Sequence, residues 1–123
     1  MMGAIRRQIG RVRDRAAWSW EGFRHVLRTE GSLHQWLWAN AASAILALLL
    51  PLTPGERAAI LMGGVMVLAL ECLNTAVERV VDDVSEARRP RAKQAKDAGS
   101  AAVALGGVAV AVAWACVLGR FLE

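Results

Sequence analysis

The chain has 123 residues, room for one domain, with 55% apolar and 21% charged residues and a formal charge of +4. Those averages hide a segregation that an ordinary soluble core does not show. Leu37 to Pro54 and Ala98 to Leu118 hold no lysine or arginine, and Ala58 to Leu70 holds no charge at all, so the chain reads as a small all-α membrane protein.

In chain order, residues 1–36 form an amphipathic segment. Ile5, Ile9, Val12 and Ala16 recur at helical spacing with arginines between them, and Trp18, Trp20, Phe23, Val26 and Leu27 continue the apolar side. Such a segment suits a helix lying in the headgroup region, which Gly22 and Gly31 could divide in two. It lacks the apolar core of a cleavable signal peptide. Anionic lipid explains its arginines with fewer assumptions than nucleic acid, which is not an expected partner.

Residues 37–53 form the first span, flanked by Trp36 and Trp38. Leu37 to Leu52 would reach only about 24 Å as a helix, so the helix should begin before Leu37. Pro54 is placed to start the second helix, 56–84. A charged connection, 85–95, contains Pro90, and the third span is 97–121. In that span Ala98, Ala102 and Gly106, then Ala109 and Ala113, form small-residue stripes that allow close helix packing.

Basic residues give the orientation. Arginines 6, 7, 11, 13, 15, 24 and 28 precede the first span, and Arg79, Arg88, Arg89, Arg91, Lys93 and Lys96 surround the second connection. The first connection has Arg57 alone, and the C-terminus Arg120 alone. Positive-inside bias puts the N-terminus and second connection in the cytoplasm, an alternation that three spans satisfy. Cys72 and Cys116 each sit in an apolar segment and suggest no disulfide.

The chemistry gathers on the second helix. At about 100° per residue, Glu71, Asn74, Thr75, Glu78 and Asp82 fall in a wedge of roughly 100°. A carboxylate among apolar helices must face protein or water, so Glu71 serves either as a general base or as a structural acceptor. Glu78 and Asp82, one turn apart, are hard oxygen ligands of the kind Mg²⁺ takes, or a solvated helix end. Lys96 and Asp97, at the mouth of the third helix, could neutralise phosphate or simply cap and anchor it. Neither Gly-rich nucleotide-binding pattern occurs, and His25 and His34 lack companions at zinc-ligand spacing.

The stretch Glu71-Cys-Leu-Asn-Thr-Ala-Val-Glu-Arg-Val-Val-Asp82, followed by Ala92-Lys-Gln-Ala-Lys-Asp-Ala-Gly-Ser-Ala-Ala-Val103, resembles the signature of the prokaryotic diacylglycerol kinases, a family that includes undecaprenol kinases. Ser19-Trp-x-Gly22, Glu30 and Gln35 match further upstream, and the resemblance runs from about Arg11 to Phe121. It implies a homotrimer of the bacterial inner membrane, each subunit carrying three transmembrane helices and an N-terminal surface helix, with active sites shared between subunits. The reaction implied is transfer of the γ-phosphate of ATP, with Mg²⁺, to a lipid hydroxyl at the cytoplasmic surface.

By that resemblance Glu71 is the base, and Glu30 and Glu78 hold the metal–nucleotide complex. Arg11, Trp18, Asn74, Lys96 and Asp97 join them around the nucleotide. Ser19, Gln35 and Ser100 lie with Glu71 on the lipid side. The Ala-Gly-Ser-Ala-Ala-Val continuation favours diacylglycerol over undecaprenol as substrate. Arg88-Arg89-Pro90-Arg91 departs from the family pattern, which leaves its nucleotide contacts open, and Trp18 stands where tyrosine is frequent. Two rivals remain: a small proton-coupled transporter, which would leave Glu78, Asp82 and Lys96–Asp97 unused, and a non-catalytic membrane anchor, which would tolerate alanine along the whole stripe.

Overall fold

The computed structural model describes residues 1–122. The described chain is all-helical: α1 (Met2–Thr29), α2 (Gly31–Leu49), α3 (Pro54–Val84) and α4 (Pro90–Arg120). It divides into two compact units, Met1–Glu30 and the remainder from Gly31 onward.

The first unit is α1. Gly22 lies inside it without interrupting it, and the helix stops only where Glu30 turns extended (φ −111°, ψ 114°). The Thr29 hydroxyl donates to the carbonyl of His25 at 3.0 Å in the last turn. Ile5, Ile9 and Val12 are exposed along one side, and Trp18 and Trp20 are exposed further along the helix.

The second unit is three helices. As its length required, α2 starts ahead of Leu37, at Gly31. Pro54 opens α3, and Thr53 caps it. The Glu56 N–H donates to Thr53 Oγ1 at 3.3 Å, and the Thr53 N–H donates to Glu56 Oε2 at 2.7 Å, a reciprocal box. Most of the expected charged connection is helical. Pro90 has the fixed φ that suits a first helical position, so α4 begins there and only Ser85 to Arg89 link α3 to α4. Two helices among the described residues, α3 and α4, are long and apolar enough to cross a membrane. At 31 residues α3 would measure about 46 Å, longer than the ~30 Å hydrocarbon layer, so one end must project from it.

Helix α3 is central and packs against both α2 and α4. Its buried residues, Ile60, Gly64, Val67, Glu71 and Thr75, recur at spacings of three and four. Glycines set the approach of the neighbours. A Cβ on Gly106 would lie 2.8 Å from Leu70 Cδ1 and 3.3 Å from Val67 Cγ2, and one on Gly63 would lie 3.0 Å from Val110 Cγ2. Two tryptophans tie α2 to α4. The Trp36 ring lies over Gly107, and Trp114 Nε1–H donates to Ser43 Oγ at 2.9 Å.

The apolar core sits at the α2–α3 turn, where Ala47, Leu52, Ile60 and Val117 are buried together. A polar clamp closes that end. Arg120 donates to Glu56 at 2.7 and 3.0 Å and to the Pro51 carbonyl at 3.4 Å. Arg57 Nε–H donates to the Ala47 carbonyl at 2.9 Å, satisfying a carbonyl that the end of α2 leaves open. The opposite end is left for charge.

Glycine 106 supplies a direct test of the close α3–α4 approach. Gly106→Val should destabilise the folded protein by about 1–3 kcal/mol through overpacking. Gly119→Ala, where a Cβ meets open space, should not. Thermal unfolding in detergent checks both.

Candidate active site

The polar stripe of α3 is the continuation of its buried face. Glu71 and Thr75 are each only 4% exposed, Asn74 and Glu78 are half-buried, and Asp82 is exposed. Helix geometry explains the gradient. Measured around α3 from Glu71, the residues that meet α4 (Val67, Asn74, Leu70, Gly63) lie on one side of it. Those that meet α2 (Gly64, Arg57) lie on the other. Glu71 therefore points between the two neighbours. Among the described residues no side chain donates a hydrogen bond to its carboxylate, which leaves both oxygens free to accept a proton or a donor from a ligand.

One turn further on, Asn74 Nδ2–H donates to Glu78 Oε1 at 3.1 Å. Asn74 Oδ1 is buried without a partner and occupies the space a Cβ on Gly99 would need. Only a glycine at 99 allows α4 to pass this close to the amide. Along the rising face of α3, contacts run from Gly63 and Leu70 to Asn74 and Asp82, while their α4 partners fall from Val110 and Gly106 to Gly99 and Lys96, so the helices are antiparallel.

At the end of that seam Lys96 Nζ donates to both Asp82 oxygens, at 2.7 and 2.8 Å. Lys93 is ion-paired with Asp97 on the same helix. Arg89 donates to the carbonyls of Val81 (3.3 Å) and Ser85 (3.2 Å), so this arginine caps the end of α3. A cleft of about 660 Å³ opens between the end of α3 and the start of α4, lined by Asp82, Ser85, Arg88, Arg89, Lys93, Lys96 and Asp97 among others. Its volume is that of a small-molecule site.

The structure thus brings Asn74 to Glu78 and sets Lys96 and Asp97 in one cleft. Ser100 is exposed on the next turn of α4, and Gln35 is exposed in the first turns of α2. Arg11, Trp18, Ser19 and Glu30 belong to the first unit. There Arg11 bonds to Gln8 (Nε–H to Oε1, 3.2 Å), the Ser19 hydroxyl donates to the Arg15 carbonyl at 2.9 Å, and Trp18 is exposed. Lys96 does not stand at a helix start. It lies in the second turn of α4, so open backbone N–H groups cannot assist it, and its side chain must act as a point charge. Three participants escaped the sequence reading: Asp82 as partner of Lys96, Arg89 as cap, and Gly99 as the gap that admits Asn74. Only Lys93–Asp97, at i, i+4, left a readable signal.

Hard oxygen donors fit Mg²⁺. Glu78 Oε2 is not engaged by the Asn74 amide. Mg²⁺ sites need one or two carboxylates, the rest coming from waters and phosphates.

Comparison with known proteins decides the class. The sequence profile of the prokaryotic diacylglycerol kinases matches residues 17–118. The chain belongs to the prokaryotic diacylglycerol kinase family. This family member is 36% identical over 110 residues to a diacylglycerol kinase of Pseudomonas aeruginosa, covering 89% of both chains. It is 30% identical over 108 residues to that of Escherichia coli, covering 88% of both. A diacylglycerol kinase of Synechocystis is 31% identical over 102 residues, covering 82% of this chain and 58% of its own. The chain is accordingly a lipid kinase, and its apolar helices are those of a membrane protein.

Removing the Arg89 cap tests how the cleft is held. Arg89→Ala should speed amide exchange across Asp82 to Arg88 by up to about thirtyfold, from two lost bonds of about 1 kcal/mol each. Exchange in the Ile60–Val67 core should not change.

Proposed function

We propose that this kinase transfers the γ-phosphate of ATP to the hydroxyl of diacylglycerol, forming phosphatidic acid at the cytoplasmic face of the bacterial inner membrane. The observation that carries the reading is the burial of Glu71 on the helix face that leads to Glu78 and the cleft. Glu71 and Glu78 are two turns apart, about 10 Å along the axis. A lipid hydroxyl beside Glu71 and nucleotide phosphates beside Glu78 and Lys96 can therefore meet between them.

Each residue then has a chemical task. Glu71 accepts the proton of the lipid hydroxyl as its oxygen attacks the γ-phosphorus. The bond from that phosphorus to the β–γ bridging oxygen breaks, and ADP leaves. Asn74 holds Glu78 by its amide N–H, with its own oxygen buried against Gly99. Lys96 places positive charge on the phosphates, Asp97 borders the nucleotide, and Ser100 lies toward the lipid. Glu30 and Glu78 are the carboxylates assigned to Mg²⁺, with Arg11 and Trp18 toward the nucleotide and Ser19 and Gln35 toward the lipid. When bound, Mg²⁺ neutralises charge on the β- and γ-phosphates. Phosphoryl transfer asks a protein chiefly for such positioning and charge, which a stripe of short polar side chains can supply.

In this reading α2 is the third membrane span, α1 lies on the membrane surface, and three copies assemble with shared sites. The exposed apolar side chains of the spans, including Met62, Met66, Leu105 and Val112, would face lipid or neighbouring subunits. The substrate preference rests on the Ala-Gly-Ser-Ala-Ala-Val continuation and on the relatives' names.

Radiolabelled phosphate transfer from ATP in mixed micelles tests it. Diacylglycerol should be phosphorylated at least tenfold faster than undecaprenol at equal mole fraction. Faster labelling of undecaprenol would reassign the substrate, and ATP turnover indifferent to either alcohol would reject the kinase reaction proposed.

A further inference from the structure

Asp82 is the last acid of the α3 stripe and the member for which the transfer mechanism has no use. Both oxygens of its carboxylate accept from the Lys96 ammonium, at 2.7 and 2.8 Å, across the α3–α4 seam. Both side chains are partly open to solvent, 50% for Asp82 and 37% for Lys96. A pair this exposed contributes little to folding stability. Its geometry matters more: a lysine head gripped by both carboxylate oxygens is fixed in place and keeps N–H donors for a ligand.

The surroundings make that grip consequential. Of the other cations lining the cleft, Lys93 is committed to Asp97 and Arg89 to the carbonyls of Val81 and Ser85, which leaves Arg88. Glu86 and Asp97 line the same cleft and are alternative partners for a lysine released from Asp82. A free lysine stem has many rotamers, and each must be surrendered when the ammonium meets a phosphate.

We infer that Asp82 is a positioning residue for Lys96, holding the ammonium in the cleft with one N–H directed to a nucleotide phosphate. This rests on the reading that Lys96 contacts the phosphates. Asp82→Asn then loosens nucleotide binding without touching the step at Glu71. The effect should appear in KM for MgATP and leave kcat at saturating nucleotide nearly unchanged.

The test is a double-mutant cycle on the full-length protein in lipid-containing micelles. Asp82→Asn should raise KM for MgATP roughly five- to twentyfold, the scale of lysine rotamer freedom. Asp82→Glu, which keeps the carboxylate, should recover most of that loss. In a Lys96→Met background, Asp82→Asn should change KM by less than about twofold, since coupled residues are not additive. An undiminished effect of Asp82→Asn in that background, or no effect in the parent, overturns the positioning role. If Lys96→Met itself leaves KM unaltered while lipid phosphorylation continues, the phosphate contact of Lys96 fails, and the role of Asp82 falls with it. Thermal unfolding of each variant in detergent identifies any that are misfolded, and Asp82→Glu then carries the comparison.

Discussion

Glu71 is a carboxylate inside the helix packing, and the second unit is arranged around that fact. Leaving a polar group buried and unsatisfied costs about 1–3 kcal/mol, and more for a charged one. Among the described residues the fully buried polar side-chain atoms without a partner are Asn74 Oδ1 and Arg89 Nε, so the Glu71 oxygens keep some access where α3 is wedged between α2 and α4. The Glu71 side chain stays 4% exposed and takes no hydrogen bond from a described side chain. In the function proposed above this open carboxylate serves a ligand, as ionisable groups within membrane helices commonly do.

What keeps Glu71 in place is found at the other end of the helices. The cluster of Ala47, Leu52, Ile60 and Val117 joins the Arg120–Glu56 and Arg57–Ala47 contacts to fix the α2–α3 turn against the end of α4. From that anchor α3 and α4 run side by side. Gly63, Gly106 and Gly99 in turn allow contact as close as side chains permit. The charged end has no comparable core. There Asp82–Lys96 crosses the seam, Asn74–Glu78 orders side chains within α3, and Arg89 caps its end, all of them polar contacts. One end gives rigidity, and the other gives access.

Much of this was legible in the sequence, for identifiable reasons. The polar wedge of α3 could be read because a helix repeats every 3.6 residues, and burial follows that repeat from Ile60 to Thr75. Pro54 announced the start of α3, and the signature around Glu71 announced the family. Helix ends were harder. Pro90 inside a charged stretch looked like part of a connection, yet proline suits a first helical position and the charges are helical. Gly22 looked like a break and is not one, since a single glycine lowers helix stability by about 1 kcal/mol without ending it. The pairing of Asp82 with Lys96 could not be read, because it depends on the register of α3 against α4. That register is set by which glycines meet which side chains. Gly99 is the clearest case. Its lack of a side chain is explained only by the Asn74 amide facing it.

The account comes down to the role of Glu71, and one substitution reads it most directly. Glu71→Gln preserves size and polarity but removes the proton acceptor. Phosphate transfer from ATP to diacylglycerol in micelles should fall by roughly 10²–10⁴-fold, the usual worth of general base catalysis. MgATP binding and thermal stability should remain near those of the parent. Near-normal transfer by the Gln variant would contradict the assignment of Glu71 as the base.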